Sequence, residues 1–163
     1  MYRLNEVVHH WIYQDYYGRI KRLEKERIFC CHQMTHFLDV ARIAYIKNLE
    51  ENLGFEKDVI YTAAVLHDIG KSFQYKWTIP HEVAGEKIAK EILTTLPEDA
   101  QFTEEEQQQI LRAIRGHRRK HEGMEPIEEL FYDSDKCSRM CHSCPAQKQC
   151  NWTEEEKNME IEI

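Results

Sequence analysis

Histidines and aspartates recur in this chain at positions where helical spacing calls for an apolar residue. His36 shares a face with Val40 and Ile43, and His67 and Asp68 close the most apolar stretch, Val59 to Ile69. His81 shares a face with Gly85 and Ile88, His117 extends the Ile110, Ile114 stripe, and Asp135 extends the Ile127, Phe131 stripe. Burying one such group unpaired costs roughly 1–3 kcal/mol, so several together call for a common partner. A divalent cation is that partner. Imidazole with carboxylate suits iron, manganese, zinc, cobalt or nickel. One or two such ions polarise a phosphoryl oxygen and turn bound water into a hydroxide nucleophile near neutral pH. Adjacent His67 and Asp68 reach one ion if the helix end beside Gly70 lets both side chains converge.

Four further donors lie in one run, Cys137-x3-Cys141-x2-Cys144-Pro145-x4-Cys150. In a chain without an export signal, such a cluster points to metal rather than to disulfides. The spacing leaves a four-iron, four-sulfide cluster or a zinc ion as its occupant, with free thiols the remaining reading. The segment from Cys141 to Cys150 is similar to the cluster loop of the endonuclease III type of DNA glycosylases, although the first spacing is shorter here. Cys30 and Cys31 stand apart, in a stretch otherwise read as helical.

The elements that must position these groups all carry a helical period. Leu4, Val7, Val8, Trp11 and Ile12 form a stripe that ends near Gly18, and Arg19 to Arg27 follows as a second helical piece. Cys31 to Leu53 is the next helix, and Val59 to Ile69 is apolar on almost every side, the mark of a central helix. Gly70 stands where a helix C-terminus favours a residue tolerant of positive φ. Pro80 and Pro126 open two later helices, and Thr103 with Glu106 forms a capping box before a third. No strand pattern and no internal repeat is evident. The expectation is an all-α bundle of six or seven helices. Residues 1–27 form an N-terminal helical extension, 28–140 the metal-binding catalytic domain and 137–150 the cysteine motif. Residues 151–163 make a loosely held acidic tail.

Bulk properties narrow the function classes. Apolar residues make up 42% of the chain and charged residues 31%, the balance of a soluble globular protein. No apolar stretch approaches the ~20 residues of a membrane span, and the N-terminal stretch lacks the plan of a signal peptide, which points to a cytoplasmic protein. The net charge of −7 speaks against duplex nucleic acid as a partner. A small phosphorylated substrate remains compatible, because a bound cation supplies positive charge locally. The aromatic stretch Trp11, Tyr13, Tyr16, Tyr17 is either core or a surface for homo-oligomers.

Three segments together, His32-Gln-Met-Thr-His36-Phe-Leu-Asp-Val40-Ala41, Leu66-His67-Asp68-Ile69-Gly70-Lys71 and Asp135-Lys136, make the chain resemble the HD superfamily of metal-dependent phosphohydrolases. The resemblance implies a compact helical HD-type domain with His36, His67, Asp68 and Asp135 as metal ligands. His81-Glu-Val-Ala-Gly85 and Ala113-Ile114-Arg115-Gly116-His117 are similar to the extra histidine motifs of two-metal members. Those members include cyclic-dinucleotide phosphodiesterases and bacterial diadenosine tetraphosphate hydrolases. The likeness implies a second ion shared through Asp68 and held by His81 and His117; the alternative role for these two is substrate contact or support of the ligands. No Gly-Tyr-Pro segment follows His117, which argues against cyclic di-GMP. On this resemblance the substrate is a small phosphate ester of the nucleotide or dinucleotide class, cleaved at Asp68 and the ions it holds. Lys71 is either a catalytic phosphate contact or an ordinary helix-end lysine, and Arg118 is a phosphate contact or part of a solvated basic run. His32, one turn before His36, is either a partner that supports the ligands or a surface residue, and His121, one turn after His117, has the same two readings. Two other functions fit the same ligand set: a di-iron oxygenase of this superfamily, and a non-catalytic module that senses or binds through its metal.

Overall fold

The computed structural model describes residues 1–161. Residues 162 and 163, the end of the expected acidic tail, lie outside the described residues. Eight α-helices are described: α1 (Tyr2–His9), α2 (Trp11–Leu23), α3 (Met34–Glu50), α4 (Lys57–Leu66), α5 (Lys71–Trp77), α6 (His81–Thr94), α7 (Glu104–Gly116) and α8 (Pro126–Cys137). No strand occurs among the described residues, and no helix among them is long and apolar enough to cross a membrane.

Local chemistry explains most of the boundaries. Thr103 caps α7 by accepting from the Glu106 amide, while Glu106 accepts from the Thr103 amide. Pro126 occupies the first turn of α8, behind a second reciprocal cap between Glu125 and Glu128. Such caps satisfy amides that have no partner within the helix. The central helix α4 buries seven of its ten residues, from Val59 to Leu66. It packs between α3 and α7, while α8 closes against α3 and α7, and α6 against α7. Phe37, Ile60, Leu66, Ile92, Ile114 and Phe131 are fully buried in the resulting core. Dense burial of this kind makes the ends of the helices rigid platforms.

Several boundaries differ from the sequence expectation, each for a physical reason. The first stripe is two helices, broken at the extended residue His10, and Trp11 points outward at 72% exposure. Gly18 lies inside α2 instead of ending a helix. The third helix begins at Met34, so Cys30, Cys31 and His32 lie in the coil before it. The apolar helix α4 stops at Leu66, and a turn through His67–Gly70 leads into α5, a short helix with no apolar period of its own. Gly70 has φ −80°, so positive φ is not what requires it. It is required by close approach: a Cβ there would stand 2.1 Å from the His81 carbonyl oxygen and 2.5 Å from the Gly85 amide. Lys71 accordingly begins a helix rather than ending one.

Part of the C-terminal stretch is tied to the end of α8, while Met159 and Ile161 are exposed. The Asn158 side-chain amide donates to the carbonyls of Cys137 (2.8 Å) and Arg139 (2.9 Å), and Lys136 lies over the Trp152 ring at 4.0 Å.

Candidate metal centre

The polar residues singled out by spacing sit at the ends of five elements. His36 lies in the first turn of α3, His67 and Asp68 in the turn after α4, and His81 at the start of α6. His117 directly follows α7, and Asp135 lies in the last turn of α8. All six are buried. They converge as two groups that share Asp68: His36, His67, Asp68 and Asp135 form one, and Asp68, His81 and His117 the other, with ligand atoms within 4.8 Å of one another in each.

The carboxylate of Asp68 divides between the groups. Its Oδ2 stands 2.9 Å from His67 Nε2 and 3.6 Å from His36 Nε2. Its Oδ1 stands 3.2 Å from His81 Nε2 and 3.8 Å from His117 Nε2. Asp135 Oδ1 faces the first group, 3.3 Å from His36 Nε2 and 3.8 Å from His67 Nε2.

Hydrogen bonds on the far side of each ring assign the tautomers. His67 Nδ1–H donates to the Ala64 carbonyl at 2.6 Å, and His117 Nδ1–H to the Ile114 carbonyl at 2.7 Å. His81 Nδ1–H donates to Gln74 Oε1 at 2.5 Å. Ser138 gives its hydroxyl proton to the Asp135 carbonyl, so His36 Nδ1–H donates to Ser138 Oγ at 3.1 Å. With Nδ1 bonded in this way, each imidazole turns its Nε2 toward the centre. His81 Nε2 and His117 Nε2 face each other 3.0 Å apart, while His36 Nε2, 3.3 Å from His67 Nε2, also accepts from Arg139 Nη2 at 2.7 Å. Two acceptors cannot bond each other, and protons between them would add buried positive charge beside Lys71 and Arg139. A divalent cation beside Asp68 resolves the contact between His81 and His117, while at His36 it would displace the Arg139 Nη2 donor. The fixing of Nδ1 by a carbonyl, amide or hydroxyl oxygen is the support that metal-bound imidazoles require. Asp68 Oδ1 is buried without a hydrogen bond, although Lys71 Nζ pairs with it at 3.4 Å. The residues present therefore fit a divalent metal.

Charge in the site is arranged to keep the carboxylates ionised. Burial raises the carboxyl pKa of Asp68, but Lys71 and then the imidazoles of His67 and His32 outweigh it and hold Asp68 well below the usual range. For Asp135, burial is outweighed by the Arg139 guanidinium and by His36, and its carboxyl also lies well below that range. Burial holds His81 well below the ordinary imidazole value, despite Asp68. It enters the site neutral, the form a metal ligand needs.

Lys71 Nζ lies 3.4 Å from Asp68 Oδ1, directly at the centre. Arg118 pairs with Glu82 at 3.1 Å and lines the same cavity from further out. His121 is exposed and faces Glu128 at 4.0 Å. Two further residues belong to the site, His32 in its supporting alternative and Arg139, which the sequence reading did not single out. His32 is buried, its Nδ1 is bound to Glu24, and its Nε2 lies 3.6 Å from Asp68 Oδ2. Glu24 in turn accepts from the Tyr75 hydroxyl at 2.5 Å. Burial lowers the His32 pKa to about 4, although Asp68 and Glu24 act to raise it. Arg139 is the second: its Nη2 donates to His36 Nε2 at 2.7 Å and to Asp135 Oδ1 at 3.1 Å. It lies two residues beyond the end of α8, and only the four-residue step from Asp135 hints at it in the sequence.

The chain belongs to the HD domain family, whose model matches residues 34–140. It is also similar to an uncharacterized protein of Clostridium beijerinckii, 48% identical over 161 residues that cover 99% of each chain. No solved structure matches the chain.

Proposed function

We propose that the chain is a metal-dependent phosphohydrolase that cleaves a small phosphate ester, with a nucleotide as the substrate class. The observation that carries this reading is the Asp68 carboxylate, whose two oxygens serve two separate sets of imidazole lone pairs. In it, His36, His67, Asp68 and Asp135 hold one divalent ion, and Asp68, His81 and His117 hold a second. A pair of ions so held supplies Lewis acidity toward phosphoryl oxygen and lowers the pKa of bound water.

The remaining residues would bind and orient the ester. The cavity over the centre has a volume of about 330 Å³, within the range of small-ligand sites. Its wall gathers Arg27, Lys71, Arg118 and Lys136 in a chain whose net charge is −7. A local cationic patch on an acidic protein favours a small anion over a long polyanion. Lys71 Nζ, held by Asp68 and beside the His81 ring, is placed to contact a phosphoryl oxygen where negative charge grows. Phe29, Tyr75 and Trp152 line the same space and offer apolar faces on which a base could stack.

Hydrolysis of a chromogenic phosphate ester, followed by a nucleotide panel, tests the reading with manganese, cobalt or nickel added. The expected result is metal-dependent phosphate release that disappears in Asp68→Ala. Metal bound at the centre with no release from any ester or nucleotide would overturn it.

A further inference from the structure

The cysteine run poses a problem that spacing alone does not solve. Of its four members, Cys141, Cys144 and Cys150 line the cavity beside the His/Asp centre, and a fourth cysteine lines it too, Cys30 from the coil between α2 and α3. Cys137, the last residue of α8, is not among the lining residues. We propose that Cys30, Cys141, Cys144 and Cys150 ligate a four-iron, four-sulfide cluster, with Cys30 in the place that sequence spacing gives to Cys137.

Four arguments support this. All four thiols are free, so no disulfide occupies them. Electrostatics ties them together: burial pushes the Cys141 thiol up, and Cys30, Cys150 and Cys144 each add to the rise, Cys30 the most of the three. A residue over a hundred positions away in sequence thus acts on Cys141 more strongly than its own neighbours do. The spacing favours a cluster over one ion. Among the described residues only the two His/Asp groups bring three or more ligand atoms within 4.8 Å of one another, so the cysteine sulfurs stand wider apart than the tetrahedron of thiolates around one zinc at ~2.3 Å. A cube of four irons holds its thiolates further apart. Last, the surroundings suit an anionic cluster. A backbone hydrogen bond from Asn158 favours the Cys141 thiolate, and the Arg139 guanidinium feels the charge of Cys30. Hydrogen bonds to sulfur and nearby positive charge are what stabilise such clusters.

The arrangement has a structural consequence. Cys30 belongs to the coil that delivers His32, and Arg139 lies between the cysteine loop and His36. A cluster at these thiols would clamp the coil before α3 to the segment after α8, and so fix two walls of the cavity.

The test uses the full chain, expressed with iron and purified without oxygen. Acid-labile sulfide is the readout, because the His/Asp centre contains none, and failure of hydrolysis cannot imitate its loss. About four sulfides per chain are expected, with visible charge-transfer absorption. Cys30→Ser and Cys144→Ser should each abolish the sulfide, while Cys137→Ser should retain it. Circular dichroism and manganese binding verify that each variant is folded. Sulfide retained in Cys30→Ser and lost in Cys137→Ser would overturn the assignment. Zinc or no metal at all, without sulfide, would overturn the cluster.

Discussion

Replacing Gly70 by alanine should damage the centre without touching any ligand. The new Cβ would lie 2.1 Å from the His81 carbonyl oxygen, whereas ordinary contact begins near 3.4 Å. Both obstacles, the His81 carbonyl and the Gly85 amide, are backbone, so no side chain can rotate away. The start of α6 must therefore retreat by about 1.3 Å, the difference between those distances. His81 is the first residue of that helix and moves with it. Overpacking of this kind costs about 1–3 kcal/mol, which for a chain of this size lowers Tm by roughly 2–12 °C. Displacement of a site group by about 1 Å costs on the order of 10²-fold in rate. Gly85→Ala is the milder comparison, because its nearest new neighbour is the Ile114 Cγ2 methyl at 3.3 Å and no backbone atom is nearer than 3.5 Å. Thermal melts, manganese titration and ester hydrolysis on both variants are the assay. Wild-type Tm, manganese affinity and turnover in Gly70→Ala would refute the close-packing argument.

Other perturbations separate the roles further. Lys71→Met should leave manganese binding in place and lower kcat/KM on a phosphate ester by about 10²-fold, the scale of losing one charge-stabilising donor, as steady-state kinetics would show. Phe37, fully buried with its ring edge-on to His67, should cost about 3–5 kcal/mol as alanine in chemical denaturation. Arg3 joins α1 to Glu106 of α7 (2.8 and 2.9 Å) and to Asp58 of α4 (3.2 Å). Arg3→Ala should destabilise by about 1 kcal/mol at neutral pH. Burial raises the Glu106 pKa, but Arg3 outweighs it and holds the carboxyl below its ordinary value of 4.5. The pair's contribution is therefore complete above that value and lost as pH falls through the lowered one. Melts of wild type and Arg3→Ala should converge in acid.

Much of this architecture was legible in the sequence because its signals are local. Pro126 and the Thr103–Glu106 box mark where α8 and α7 begin, and the six His and Asp residues of the centre stand out as polar residues on apolar stripes. What escaped depends on partners distant in the chain. Gly70 looks like a helix terminator until the backbone of α6 is found against it. His32 has no helix of its own, and its burial comes from Glu24, Tyr75 and Asp68. Residues 71–77 lack an apolar period, so α5 left no trace beyond the turn before it. Cys30 sits beside a cysteine run that begins over a hundred residues later, a relation that no spacing rule reads.

Anomalous diffraction from crystals of the full chain soaked in manganese reaches the central claim most directly. Manganese prefers oxygen and imidazole to thiolate, so its signal reports the His/Asp centre and not the cysteines. The account predicts a peak on each side of the Asp68 carboxylate, one among His36, His67 and Asp135 and one against His81 and His117. Well-ordered crystals in saturating manganese with no anomalous peak at Asp68 would contradict it.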